Sequence, residues 1–254
     1  FGTKGGLVPL HAWLPDAYGE SPTPVTILLA GAFTEVALFS LYLLISQSGS
    51  TTLLMFLMVM GVITIAFGSF MMFTERDLKR LLAYSSIEQS GLITFGIAAG
   101  SVVGSVFHIV NHMLMKSLLY LCSGAILMSV GTKDIESMQG LGRRMPVVAA
   151  GFFIGLLAIS GIPPFNGFVS EYIIFSDSFA VSPPLTVLAI VCTFPMFASY
   201  VIIAHRIFFE HPSVEKTNVP WAINLCIMIL AIACVVFGIY PDPLQEVIGG
   251  GANP

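Results

Sequence analysis

Between residues 52 and 73 the chain runs for about the thickness of a bilayer's hydrocarbon core without one charged side chain. A helix that is apolar on every face is stable only inside a large core or in lipid. Similar runs recur at about residues 24–45, 81–99, 105–124, 146–175, 184–208 and 219–240, separated by short polar loops. The rest of the composition excludes a soluble domain. Hydrophobic residues make up 56% and charged residues only 9%, with a mean hydropathy of +0.91, whereas about a quarter of a soluble domain is charged. A chain of 254 residues has room for seven or eight spans of about twenty residues and hardly any soluble mass. The expected fold is an all-α polytopic membrane protein with about eight transmembrane helices. The net charge of −4 is spread over loops and spans and offers no basic surface for nucleic acid. Cys122, Cys192, Cys226 and Cys234 all sit in apolar stretches and suggest no disulfide framework.

The run at 105–124, SVFHIVNHMLMKSLLYLCSG, carries His108, His112 and Lys116 at four-residue steps. On a helix those steps share one stripe, which covers roughly 12 Å of membrane depth. A lysine at the centre of a membrane helix costs from about 3 kcal/mol upward, and such groups mark ion or proton pathways. The stripe therefore reads as a proton relay. Two other readings stand beside it. A His pair at i, i+4 can ligate zinc, but no HExxH glutamate lies between these two and the cysteines are not spaced as ligands. Histidines also hydrogen-bond between membrane helices as structural glue. Lys116 on the same stripe favours the relay, because a buried ammonium is poor glue and exchanges its proton readily.

Other ionisable residues lie beside interruptions or at depth. Residues 1–13 carry Lys4, Pro9 and His11, followed by Pro15 and Asp16, and read as a helix broken by prolines. The opening FGTKGG has neither an initiator methionine nor a signal sequence, and reads as the end of a helix begun upstream. Glu35 falls near mid-depth of the second span. Glu88 follows Tyr84, Ser85 and Ser86 in the first turns of the span at 81–99, which places it near the interface or on the pathway. The span at 146–175 is too long for one straight crossing and is cut by GIPPFNG at 161–167, with Glu171 four residues beyond. This second broken helix mirrors the first, where Lys4 lies beside the interruption. Broken helices are a usual feature of transport sites. His205 closes the span at 184–208 and is a further candidate. Leaving aside Lys4 and Lys116, every basic residue falls in loops on one side: Arg76, Lys79 and Arg80, then Lys133, Arg143 and Arg144, then Arg206 and Lys216. The positive-inside rule puts that side in the cytoplasm.

The segments LVPLHAWLPDAYGESPTPV, DLKRLLAYSSIEQSG, FHIVNHMLMKSLLYLCSGA and GIPPFNGFVSEYII resemble, in that order, the antiporter-like proton-conducting subunits shared by respiratory complex I, Mrp-type cation/proton antiporters and energy-converting hydrogenases. The resemblance spans nearly the whole chain. It implies the second part of such a subunit, from its seventh helix to its fourteenth, in a fold with two inverted five-helix repeats that each hold one broken helix. On that plan residues 1–46 end the first repeat with Lys4 and Glu35, residues 52–208 form the second inverted repeat, and residues 219–240 form a terminal helix.

Carried over by motif, Lys4 matches the lysine of the first broken helix, Lys116 with His108 and His112 the central helix of the second repeat, and Glu171 the ionisable residue of the second broken helix. Glu35 stands where complex I subunits often carry lysine, and glutamate at 171 resembles the M-type and hydrogenase-linked subunits more than the L-type. The glutamate that would pair with Lys4 is expected on an earlier helix outside this sequence. The implied function is proton translocation within a redox-driven complex of NADH:quinone oxidoreductase or hydrogenase type, with other membrane subunits and a peripheral redox arm as partners. Iron–sulfur clusters, flavin or nickel–iron centres are expected only in those partners, since this chain has no CxxC pair, phosphate-binding loop or haem ligand set. The implied location is a prokaryotic cytoplasmic membrane. Two alternatives remain: a cation/proton antiporter subunit without redox chemistry, and a scaffold whose charges merely pair.

Overall fold

The computed structural model describes residues 1–47, 49–209 and 219–251. Lys216 and the residues around it, 210–218, lie outside the described residues. Among these residues the chain is helical, its only β pairing a single bridge between Asp77 and Asp134. Five helices among the described residues are long and apolar enough to cross a membrane: Thr23–Ile45, Thr51–Met71, Val102–Val130, Pro183–Phe209 and Trp221–Ile239. The chain is an integral membrane protein. In order, α1 (Trp13–Glu20) is followed by α2 (Thr23–Leu28), which runs through a π turn (Leu29–Phe33) into α3 (Thr34–Ile45). Then come α4 (Thr51–Met71), α5 (Leu78–Ala98), α6 (Val102–Val130) and the short α7 (Leu141–Arg144). The apolar α8 (Pro146–Ile159) precedes α9 (Asn166–Val181), α10 (Pro183–Phe209) and α11 (Trp221–Ile239). A last helix, α12 (Asp242–Gly251), follows.

Helix α5 is the axle of the bundle. From Leu81 to Ala98 every residue is buried, against α1, α3, α4, α6, α9 and α10. That position explains why it carries Tyr84, Ser85, Ser86, Glu88, Gln89, Ser90 and Thr94, since its neighbours are protein rather than lipid. Asp77 caps its start, accepting from the amides of Lys79 and Arg80 at 2.8 and 3.1 Å. The cap begins the helix at Leu78, a turn earlier than the expected 81, and Glu88 lies fully buried among its neighbours. Helix α6 is longer than the expected 105–124 and ends on Gly131 at φ 76°, whose amide bonds Leu127.

Helices α4 and α5 approach through glycines. A Cβ on Gly68 would lie 2.6 Å from the Glu88 amide nitrogen and 2.8 Å from the Tyr84 carbonyl, and one on Gly91 2.7 Å from the Ile65 nitrogen. Small residues that let backbones meet are the main packing device between membrane helices.

Both predicted breaks lack continuous helix, and they repeat one another bond for bond. In the first, the amides of Gly6, Leu7 and Leu10 bond Thr3, Gly2 and Leu7 at 3.3, 2.9 and 2.7 Å. In the second, the amides of Gly161, Ile162 and Phe165 bond Ala158, Leu157 and Ile162 at 3.2, 3.1 and 3.1 Å. Gly6 and Gly161 hold matching left-handed turns, at φ 73° and 62°. This register sets Glu171 opposite Asp16, and Lys4 opposite Ile159. The two ionisable groups therefore flank their breaks from opposite sides rather than as mirror images.

The close contact of α4 with α5 yields a test. Gly68→Ala is expected to cost about 1–3 kcal/mol by overpacking, read as a lower unfolding midpoint in detergent. An unchanged midpoint would show that the two backbones have room to spare.

Candidate functional site

The stripe on α6 lies wholly inside the protein: His108, His112 and Lys116 are each 0% exposed. What they meet comes from α3, α5 and α9. Nδ1 of His112 lies 2.5 Å from Oε1 of Glu35, which the π turn places at the start of α3. Gly31 in that turn packs on α6 closely enough that a Cβ would stand 2.9 Å from the Ser117 hydroxyl. The π turn, a feature frequent at functional sites, has no signature in the local sequence.

The imidazoles of His112 and His108 are stacked with centroids 6.5 Å apart. His108 then bridges outward, with Nε2 2.5 Å from Oε1 of Gln89 and Nδ1 2.8 Å from the Ser170 hydroxyl on α9. Gln89 is the hub. Its amide nitrogen donates to Oε2 of Glu88 at 2.8 Å and to the Ile159 carbonyl, the last of α8, at 3.3 Å. The carboxyl of Glu171 sits near both Gln89 and Glu88. A run of polar contacts therefore leads from Glu35 through His112, His108 and Gln89 toward Glu88 and Glu171.

Lys116 stands beside this run, its direct partners neutral. Its ammonium donates to the Leu82 carbonyl at 2.7 Å and to the Ser85 hydroxyl at 2.5 Å, and Ser85 in turn lies 2.6 Å from the Tyr200 hydroxyl of α10. Glu88 and Glu35 are the carboxyl groups whose charges act on it. Among the described residues, one oxygen on each of Glu35, Glu88 and Glu171, and Nε2 of His112, has no hydrogen-bond partner although buried. Such atoms are costly in a dry interior, and they are where water or a transferred proton would bind.

The second break is stitched by side chains that the sequence does not announce. Asn111 on α6 donates to the Asn166 carbonyl at 3.0 Å and to Ser170 at 3.1 Å, while the Asn166 amide returns a bond to Asn111 at 3.0 Å. Gly161 leaves just enough space for Glu171, whose carboxyl a Cβ there would strike. Glu171 also lines a groove of about 590 Å³ between α9 and α10, with Ser160, Tyr172, Thr186 and Thr193 on its walls.

The remaining candidates lie apart. Lys4 is exposed, with its ammonium 5.3 Å from the centre of the Phe33 ring, and does not reach the cluster. His11 packs against Phe67 with ring centroids 4.3 Å apart and the planes tilted by 55°. His205 is exposed near the basic end of α10 and stacks on Phe209. At that end the basic loops are gathered: Arg80 pairs with Asp16 at 3.1 Å, Lys133 with Glu20 at 3.2 Å and Arg76 with Glu136 at 3.7 Å. Among the described residues no three His, Cys, Asp or Glu side chains form a cluster able to hold a metal ion.

Gln89 is the residue that sequence reasoning passed over, and its role can be measured. Gln89→Leu keeps the bulk but removes every polar contact from His108 to Glu88, and should slow proton transfer by at least tenfold, a barrier increase of about 1.4 kcal/mol. Natural rates in vesicles carrying Gln89→Leu would remove it from the pathway.

Comparison with known proteins gives the family and the fold. The family described as NADH:quinone oxidoreductase/Mrp antiporter, TM, matches residues 1–196. Formate hydrogenlyase subunit 3 of Escherichia coli (strain K12) is 30% identical over 94% of the chain and 44% of its own length. NADH-quinone oxidoreductase subunit M of Pseudomonas aeruginosa is 32% identical over 97% of the chain and 50% of its own. The chain thus spans about half the length of these relatives. The structure of the Mrp complex from Dietzia sp. DQ12-45-1b superposes with a TM-score of 0.91 at 23% identity, covering 98% of this chain and 56% of that one, which shows a shared fold.

Proposed function

The chain belongs to the NADH:quinone oxidoreductase/Mrp antiporter transmembrane family, and we propose that it relays protons along its buried Glu35–His112–His108–Gln89–Glu88 run, with Lys116 and Glu171 as charge-storing and exchanging groups. The observation that carries this reading is that six buried ionisable side chains, Glu35, Glu88, His108, His112, Lys116 and Glu171, converge from α3, α5, α6 and α9. A scaffold would not be built this way, since buried charge pairs are weak contributors to stability and apolar packing often does better.

Each neighbour's charge sets the next group's readiness to ionise. Burial disfavours a charged form and a partner of opposite sign favours it. At an effective dielectric near 20, unit charges about 8 Å apart interact by roughly 2 kcal/mol, close to a thirtyfold change in a protonation equilibrium. Glu171, beside the break and the groove, is positioned to exchange with water, while Lys116 exchanges inside the protein. Lys4 would join the row through a carboxyl supplied from outside this sequence.

The subunit works, in this proposal, within a redox-driven membrane complex. Glutamate at 171 and the likeness to a formate hydrogenlyase subunit and a quinone oxidoreductase subunit M support that reading. Electrons would be handled by iron–sulfur, flavin or nickel–iron centres in a peripheral partner, and the basic loops would face the cytoplasm of a prokaryotic cell. An Mrp-type antiporter without redox chemistry is the second reading, favoured by the shared fold. The subunits that co-purify with the natural assembly separate the two.

Two substitutions test the relay. Lys116→Ala should abolish proton uptake by reconstituted vesicles while the complex still assembles, and uptake at the natural rate would sink the proposal. Glu171→Gln keeps the shape but cannot ionise, so transfer should fall at least tenfold, about 1.4 kcal/mol of barrier, whereas Glu171→Lys should retain part of it. Active Gln with inactive Lys would make Glu171 a packing residue.

A further inference from the structure

Glu35 reaches His112 because the helix that carries it holds one residue more than a regular α-helix would. At the π turn the Leu29 carbonyl accepts from the amide of Thr34, five residues on, where an α-helix would offer it the amide of Phe33. The extra residue turns every later side chain back by about 100°, the angle between neighbours on a helix. Were the helix regular from α2 onward, Thr34 would face α6, and Glu35 would point where Val36 now does, a side chain 65% exposed. The extra residue need not be lost for this to happen. If the π turn slid to a point beyond Glu35, the carboxyl would swing outward while Leu41 and Ile45 kept their buried places. What fixes the turn ahead of Glu35 is therefore what aims Glu35.

Two hydroxyls meet at that point. Tyr18 of α1 is 0% exposed, and its hydroxyl lies 3.0 Å from the Leu29 carbonyl and 2.5 Å from the Thr34 hydroxyl. The Thr34 hydroxyl in turn lies 3.2 Å from the same carbonyl. Whichever hydroxyl donates to the other, the remaining proton is directed at the Leu29 oxygen. In a regular helix a threonine hydroxyl bonds the carbonyl four residues back, which for Thr34 is that of Ala30; the bond to Leu29 belongs to the π register. Tyr18 is anchored elsewhere. Its ring meets Tyr120 of α6 edge-on with centroids 6.0 Å apart, and its carbonyl accepts from the Thr26 hydroxyl at 3.2 Å. We propose that Tyr18 and Thr34 are positioning residues: their paired hydroxyls clamp the π turn ahead of Glu35 and thereby hold its carboxyl on His112. The clamp rests on the relay proposed above for its effect on proton transfer, but the direction of Glu35 can be read without transport.

The probe is dicyclohexylcarbodiimide, a lipid-soluble reagent that adds to protonated carboxyl groups reached from the bilayer, applied to the assembled complex and mapped by mass spectrometry. Glu35, 2% exposed in the clamped turn, should label slowly relative to Glu171, which lines the groove between α9 and α10. Tyr18→Phe combined with Thr34→Val removes both hydroxyls with little change of shape. In that double variant the ratio of Glu35 to Glu171 labelling should rise roughly tenfold or more, and proton transfer should fall by a similar factor. Thr34→Ser keeps the hydroxyl and should match the natural protein. Deleting Ala32 from the double variant takes out the extra residue, so a regular helix would carry the carboxyl to His112, and labelling and transfer should both return toward natural values. An unchanged labelling ratio in the double variant would overturn the clamp, whatever happens to transfer. A raised ratio that the Ala32 deletion leaves raised would mean general loosening rather than a lost register, and would overturn it too. Raised labelling with transfer at the natural rate would uphold the clamp and strike Glu35 from the relay.

Discussion

An ammonium at mid-membrane needs oxygen lone pairs aimed at it, and Lys116 finds them on a single turn of α5, at the Leu82 carbonyl and the Ser85 hydroxyl. Neutral dipoles satisfy the charged form without locking it. A carboxylate in direct contact would hold the proton in place, and removing either partner would strand a buried charge. With Glu88 and Glu35 acting from a distance, the lysine can lose its proton and keep a hydroxyl able to donate to the free amine. Much of the architecture follows from supplying those dipoles. Helix α5 must be polar and must therefore be hidden from lipid on all sides, which requires α4 to close on it through Gly61, Gly68 and Gly91.

The broken helices extend the same constraint to the backbone. A helix that ends inside a bilayer leaves amides and carbonyls that only protein or water can satisfy. Here side chains do so. Thr64 of α4 accepts from the Val8 amide at 3.3 Å, Gln89 donates to the Ile159 carbonyl and Asn111 donates to that of Asn166. Gln89 and Asn111 thus hold the break with one end and the relay with the other, Gln89 through His108 and Asn111 through Ser170. A proton-linked movement of His108 would be felt at the junction of α8 with α9, where Glu171 lies against Gly161.

The spans were legible because twenty-residue apolar runs have one physical use, and the His/Lys stripe because four-residue steps on a helix can only align. The breaks were legible from their prolines. The start of α5 was not legible, because it is set by the Asp77 cap among charged residues, where hydropathy marks no boundary. Gln89, Asn111, Ser85 and Tyr200 carry no charge and no motif of their own. Their importance comes from what neighbouring helices bring to them. The position of Lys4 was also beyond reach of its local sequence, since it rests over the ring of Phe33, almost thirty residues away.

Helix α10 borders two cavities. It lines the smaller one, at the basic end, with Ser199, Ile202, Ile203 and Arg206, and the groove beside Glu171 with Thr186, Ile190, Thr193, Phe194 and Phe197. Pro195, which has no amide proton to give the preceding turn, lies among the groove residues just short of Ser199. The two cavities share this one helix but none of its residues, and of the buried cluster only Glu171 lines either of them. In the proposed relay that arrangement would let Glu171 meet the groove. It does not supply a driving force: moving a proton against about 200 mV requires roughly 4.6 kcal/mol, more than twice the coupling of about 2 kcal/mol that one neighbouring charge exerts at 8 Å. In the proposed relay neighbouring charges would pass a disturbance along the row, but the free energy that makes the movement directional would have to enter from a partner.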